Sequence, residues 1–128
     1  MMKKSVKLLM ALMALVLCQV GLAENKSIED GIFTQAQVDA GEPIFDGACS
    51  ICHDMRFYRD ILKAYNNQSV LWLWDSIVGT MPAGNPGSLM LEEYTNVLAY
   101  IFSANGFPTG DIELDPDNGM ESILIVSP

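Results

Sequence analysis

The chain has 128 residues, with seven Lys or Arg, sixteen Asp or Glu, a single His and a formal net charge of −9. That length fits one domain. The acidity argues against nucleic acid or an anionic lipid surface as a partner, because both repel a protein of this sign.

Lys3, Lys4 and Lys7 precede an almost unbroken apolar run from Leu8 to Val20, and Gly21-Leu22-Ala23 closes it with small residues. This is the layout of a secretory signal peptide over residues 1–23, with cleavage expected after Ala23. The run falls short of the ~20 apolar residues a spanning helix needs, so no membrane span is expected after cleavage. Cys18 follows Leu17 rather than a small residue, which argues against a lipidated cysteine. Cleavage would leave four basic residues, Lys26, Arg56, Arg59 and Lys63, against sixteen acidic ones, a formal charge of −12. Such a chain suits a protein partner with a basic docking face.

Residues 24–33 are polar and unperiodic, and they are expected to form a short, partly mobile lead-in. Thr34 and Gln37 have capping-box spacing, so a helix is predicted to start there. Val38, Gly41, Phe45 and Ala48 fall near one face of it. Pro43 lacks an amide hydrogen and crowds the preceding turn, which predicts a kink or a restart near Gly41–Pro43.

The next stretch is Cys49-Ser50-Ile51-Cys52-His53, a Cys-x-x-Cys-His run. Two thiols at this spacing can each add across a haem vinyl group, and the adjacent imidazole can then sit under the porphyrin iron, as in c-type haem attachment. A zinc site would want two further ligands, yet the mature chain offers no other Cys or His. A thioredoxin-like dithiol would want a βαβ pattern, and none is visible. Cys49 and Cys52 are therefore read as covalent haem anchors and His53 as an axial ligand of one haem c.

From Asp54 to Gln68 the pattern is irregular. Arg56, Arg59 and Lys63 interleave with Phe57, Tyr58, Ile61, Leu62 and Tyr65. A short helix with a solvated basic face fits this, although Arg56 or Arg59 also has the fork geometry to pair with a haem propionate. Ser69 to Gly79 reads as a helix capped by Ser69. Trp72 and Trp74 lie on opposite sides of it, one expected in the core and the other, unassigned, at the haem edge.

Gly79 to Gly87 is a loop rich in Gly and Pro. Met81 is its chemically useful residue, since a neutral thioether suits haem iron and a His/Met pair raises the reduction potential. Met55 is too close to His53 to reach the other haem face, Met90 opens the next helix, and Met120 lies in a polar tail, so Met81 is the predicted second axial ligand. Leu91 to Ser103 shows the clearest helical stripe, through Tyr94, Val97, Leu98, Ile101 and Phe102. Asn105-Gly106 and Pro108 stop it. Residues 109–128 form an acidic extension whose apolar run, Ile123 to Val126, is expected to dock on the body, or otherwise to meet a partner.

Taken together, Gly41 and Phe45 ahead of the motif, Cys49/Cys52/His53, Met81-Pro82 and Leu98-Ala99-Tyr100-Ile101 resemble a class I c-type cytochrome. The stretches Pro86-Gly87-Ser88-Leu89, Glu93-Tyr94 and Asn105-Gly106-Phe107-Pro108 are similar to small periplasmic cytochromes and to cytochrome subunits associated with quinoprotein (PQQ-dependent) dehydrogenases. The resemblance covers 34–108, taken as the cytochrome domain. It implies an all-α fold, the class I cytochrome c fold, with about three to five helices around one covalent haem. It implies His53 and Met81 as ligands, and Gly41 at a close crossing of the first and last helices with Phe45 and Tyr100 nearby. The expected function is periplasmic electron transfer without catalysis, with redox partner proteins, a dehydrogenase donor, a terminal oxidase acceptor or both. The alternative is the electron-accepting subunit of a quinoprotein dehydrogenase. Three departures stand out: Pro43 inside the first helix; Met90-Leu91 where a polar cap and Pro often precede Glu-Glu-Tyr, so that the last helix is expected to fray or to start earlier, at Ser88; and Asp54 to Asn67, which lacks the Gly/Pro-rich turn common after the haem His.

Overall fold

The computed structural model describes residues 26–128. The expected leader, residues 1–23 with Cys18, lies outside the described residues. Four α-helices form, with no β-strand among the described residues: α1 Gln35–Ala48, α2 Met55–Ala64, α3 Val70–Thr80 and α4 Leu91–Ala104. A single 3₁₀ turn follows at Met120–Ser122. The described chain is thus all-α. No described helix is long and apolar enough to cross a membrane.

Each helix starts where its first turn finds acceptors for the otherwise orphaned amides. Thr34 Oγ1 accepts from the Gln37 amide at 3.2 Å, and Gln37 Oε1 accepts in return from the Thr34 amide at 3.2 Å. That Oε1 also accepts from the Leu114 amide, while Gln37 Nε2 donates to the Leu114 carbonyl. One glutamine therefore caps α1 and ties down the C-terminal extension. Asp54 Oδ1 caps α2 through the Phe57 amide at 2.9 Å, and Ser69 Oγ caps α3 through Leu71. At α4 no side chain of residue 90 caps. Instead Glu93 accepts from the Met90 amide at 2.8 Å, so this helix begins at Leu91 rather than earlier.

The expected restart at Pro43 does not occur, and α1 runs through it as one helix. Pro43 and Asp39 both lie on the solvent side of the helix, so the carbonyl that the missing amide would have met is not forced into the apolar core. The segment after His53 is a regular helix. Tyr58 and Leu62, one turn apart, face inward, while Arg56, Arg59 and Lys63 stay in water.

The α1–α4 crossing organises the molecule. A Cβ at Gly41 would collide with the Asn96 carbonyl and stand 3.0 Å from the Val97 nitrogen. Only a glycine lets the two backbones come this close. Around the crossing, Phe45 packs on Tyr58 and Tyr100 with ring centroids 5.4 and 5.3 Å apart. Val97 and Ile101 complete this cluster. The larger core joins Val38, Leu62, Val70, Leu73, Trp74, Leu98 and Phe102.

That core also contains the segment expected to be a mobile lead-in. Ile28, Ile32 and Phe33 are fully buried. They are held by the end of the chain: the Ile28 amide donates to Leu124, and the Leu124 amide donates to Lys26. Leu124 bridges Ser27 on one side and Ser69 on the other. The apolar run 123–126 does dock as extended chain, with Ile123 and Ile125 turned into the core, which removes it as a surface for a partner. Met120, expected in a polar tail, is fully buried.

Candidate functional site

The Cys-x-x-Cys-His run follows directly on α1. The amides of Cys49 and Ser50 both donate to the Phe45 carbonyl, and those of Cys52 and His53 donate to the Cys49 carbonyl. These bonds fold the motif back into a tight turn, with Ile51 thrown outward at 81 % exposure. Asp54 then starts α2, whose first turn returns beneath His53. The His53 ring stacks on Phe57, with centroids 4.2 Å apart and planes 19° apart, and meets the edge of Tyr58 at 5.7 Å. A hydrogen bond from the ring to a backbone carbonyl is a common way to orient such a ligand. The ring makes none among the described residues, and aromatic packing holds it instead.

Both thiols are free of disulfide, Cys49 half-buried and Cys52 exposed. Burial pushes the Cys49 thiol up from its ordinary value, while the Tyr58 hydroxyl beside it pulls the other way. Tyr58 is in turn raised, first by burial and then by the neighbouring Cys49.

Met81 approaches from the far end of α3. Its amide donates to the Ile77 carbonyl at 2.8 Å, closing the last turn. Its carbonyl accepts from the Tyr94 hydroxyl at 2.6 Å and from the Gly87 amide at 3.3 Å. The Met81–Pro82 peptide bond is cis.

Between these elements lies a small cavity of about 50 Å³. The motif lines one wall with Ala48, Cys49, Cys52 and His53, and the loop lines another with Met81, Pro82 and Ala83. The remaining walls are Tyr58, Ile77, Leu89, Tyr94 and Val97. The four residues singled out in the sequence, Cys49, Cys52, His53 and Met81, thus border one space. Its donor set is two thiols, an imidazole and a thioether in a mainly apolar setting. This set fits a haem held by two thioether bonds and ligated by His53 and Met81. Among the described residues, no three His, Cys, Asp or Glu side chains converge on a point that would hold a bare metal ion.

Neither tryptophan reaches this cavity. Trp74 is buried and donates from Nε1 to Thr95 Oγ1 at 3.1 Å, tying α3 to α4. Trp72 points to solvent at 69 % exposure. Arg56 pairs with Asp54 across 3.3 Å on the surface, and Lys63 with Asp60 across 3.2 Å. Such exposed pairs contribute little. The sequence reading missed Phe57 as the support of His53, Tyr58 beside Cys49, and Tyr94 on the Met81 carbonyl. One signal for Tyr94 was available: a tyrosine on a core stripe needs a partner for its hydroxyl, and the Met81 loop is the polar segment nearest in sequence.

Compared with protein-family models, curated proteins and solved structures, the chain matches none.

Proposed function

We propose that the chain is an exported one-electron carrier with a class I cytochrome c fold, holding one covalent haem c with His53 and Met81 as axial ligands. The observation that supports this most is the shared cavity, where the two cysteines and His53 border the same apolar space as Met81. Haem supplies the one-electron iron couple; the polypeptide supplies attachment, ligation and shielding. Cys49 and Cys52 would hold the haem through two carbon–sulfur bonds, each formed by adding a thiol S–H across a vinyl double bond, with the hydrogen going to the neighbouring vinyl carbon. His53 offers a nitrogen lone pair from a ring braced by Phe57. Met81 offers a neutral sulfur, which favours the reduced state and raises the potential. Ile77, Leu89 and Val97 keep water from the site. The acidic surface selects partners with a basic face and makes association rates fall as salt rises. The proposed location is the periplasm, and the proposed partners are a dehydrogenase donor and a terminal oxidase acceptor.

Two measurements on protein matured with a c-type haem attachment system test this. After acid-acetone extraction the haem is expected to stay with the polypeptide; extracted haem refutes the covalent assignment. Met81→Ala is expected to lose the weak deep-red sulfur-to-iron band of the oxidised protein. Survival of that band assigns the ligand to another residue.

A further inference from the structure

We propose that Tyr94 is the positioning residue of the Met81 ligand, and that its hydroxyl keeps the sixth iron position closed to outside ligands. The inference rests on the haem reading above and concerns how that site is governed.

Met81 lies just beyond the last helical residue of α3, where the backbone is free to swing unless something holds it. On the α3 side it is held by its own amide, bonded to Ile77. Its carbonyl is the handle on the other side. The Tyr94 hydroxyl bonds that carbonyl at 2.6 Å, the shorter of its two hydrogen bonds, while Gly87 reaches it only at 3.3 Å. Tyr94 is itself buried, with 2 % exposure and a place in the first turn of α4. Beyond Pro82 the loop from Ala83 to Ser88 is exposed throughout, so the rest of the loop adds little restraint. The hydroxyl of Tyr94 is therefore the link between the Met81 backbone and the rigid α1–α4 pair. Among the described residues no second imidazole and no amine lines the cavity to replace a departing thioether: His53 is the single His of the chain, and neither Lys26 nor Lys63 borders the space. When Met81 leaves, the vacated position goes to water or to a small ligand from solution.

The experiment compares three haem-loaded proteins: the natural chain, Tyr94→Phe and Thr95→Val. Thr95→Val breaks the neighbouring α3–α4 link, the Trp74–Thr95 hydrogen bond, without touching the Met81 carbonyl. The readouts are the deep-red band of the ferric protein and the affinity for added imidazole. Removing one hydrogen bond from the closed state should tighten imidazole binding about 2- to 13-fold in Tyr94→Phe and weaken the band on warming. Thr95→Val should lower the melting temperature and leave imidazole affinity within about twofold. Equal imidazole affinity in Tyr94→Phe and the natural chain overturns the proposal, as does an equal gain in Thr95→Val, which makes the effect one of general loosening. A natural chain without covalent haem, or with haem and no band, overturns the site assignment itself and is seen before any variant is made.

Discussion

Replacing Gly41 by Ala tests the close crossing on which both clusters of the core depend. The added Cβ would lie 2.5 Å from the Asn96 carbonyl carbon, where ordinary contact begins near 3.4 Å. The obstacle is helix backbone, so no side chain can turn aside, and α1 and α4 must part by about 1 Å. A gap of that size forfeits roughly a quarter to a half of the dispersion energy of facing atoms. Four buried side chains meet near the crossing: Val38, Phe45, Val97 and Ile101. Each contributes about 1.5–3 kcal/mol by burial. Losing about a third of that at each predicts a destabilisation of about 3 kcal/mol, within the range for overpacked sites. For a domain of this size it corresponds to a fall of about 12–24 °C in Tm. Gly47 is the internal control, because it lies on the same helix with nothing within 4 Å of its added Cβ. Gly47→Ala should stabilise by about 0.5–1 kcal/mol, the helical cost of glycine. The assay is thermal and urea unfolding of the haem-loaded protein by far-ultraviolet circular dichroism. A loss below about 1 kcal/mol for Gly41→Ala, or the same sign for both variants, would refute the steric reasoning.

Further outcomes follow from the same contacts. Ile125→Ala removes a fully buried side chain from the C-terminal segment and is expected to cost about 2–5 kcal/mol by urea titration; a cost under 1 kcal/mol means the segment merely rests on the surface. Thr34→Ala breaks one half of the reciprocal cap of α1 and should cost about 1 kcal/mol, read as a shift in urea midpoint without a change in slope. At Asp54, the Phe57 amide above all, with help from Arg56, holds the carboxyl below the usual carboxylate range. A depressed folded value means the cap contributes fully above the unfolded value of about 3.9 and is lost as pH falls through the folded one. Asp54→Asn keeps the cap but not the titration, so its stability should fall less steeply than that of the natural chain below about pH 4. Parallel slopes would exclude the carboxylate as a source of acid sensitivity.

The parts legible in the sequence were those with a local cause. The stripe through Tyr94, Val97, Leu98, Ile101 and Phe102 repeats within one helix, and those side chains are buried. The Thr34–Gln37 and Ser69 caps need only three or four residues to be recognised. The site motif was legible for the same reason, being five consecutive residues. What stayed hidden has non-local causes. Ile28, Ile32 and Phe33 show no helical or alternating period, because their partners come from the other end of the chain. Pro43 looked disruptive because sequence does not show that its face of α1 is turned to water. Met120 looked exposed among acids and glycine, yet its carbonyl accepts from Ser69 Oγ, 51 residues away in sequence. Tyr94 read simply as one more core residue, since the stripe reports where a side chain points and not what its hydroxyl meets.

Leu124 sits between Ser27 and Ser69, so Lys26 and Ile28 have no long-range backbone partner until residue 124 arrives. A chain that emerges N-terminus first would carry its haem motif, all four helices and the Met81 loop before the clasp can close. During that interval Ile28, Ile32 and Phe33 have no complete core to enter, and contacts this distant in sequence form slowly. Completion of this part of the fold is thereby timed by residues 123–125, and a ribosome stalled before them would hold a chain with all four described helices synthesised and its core still open.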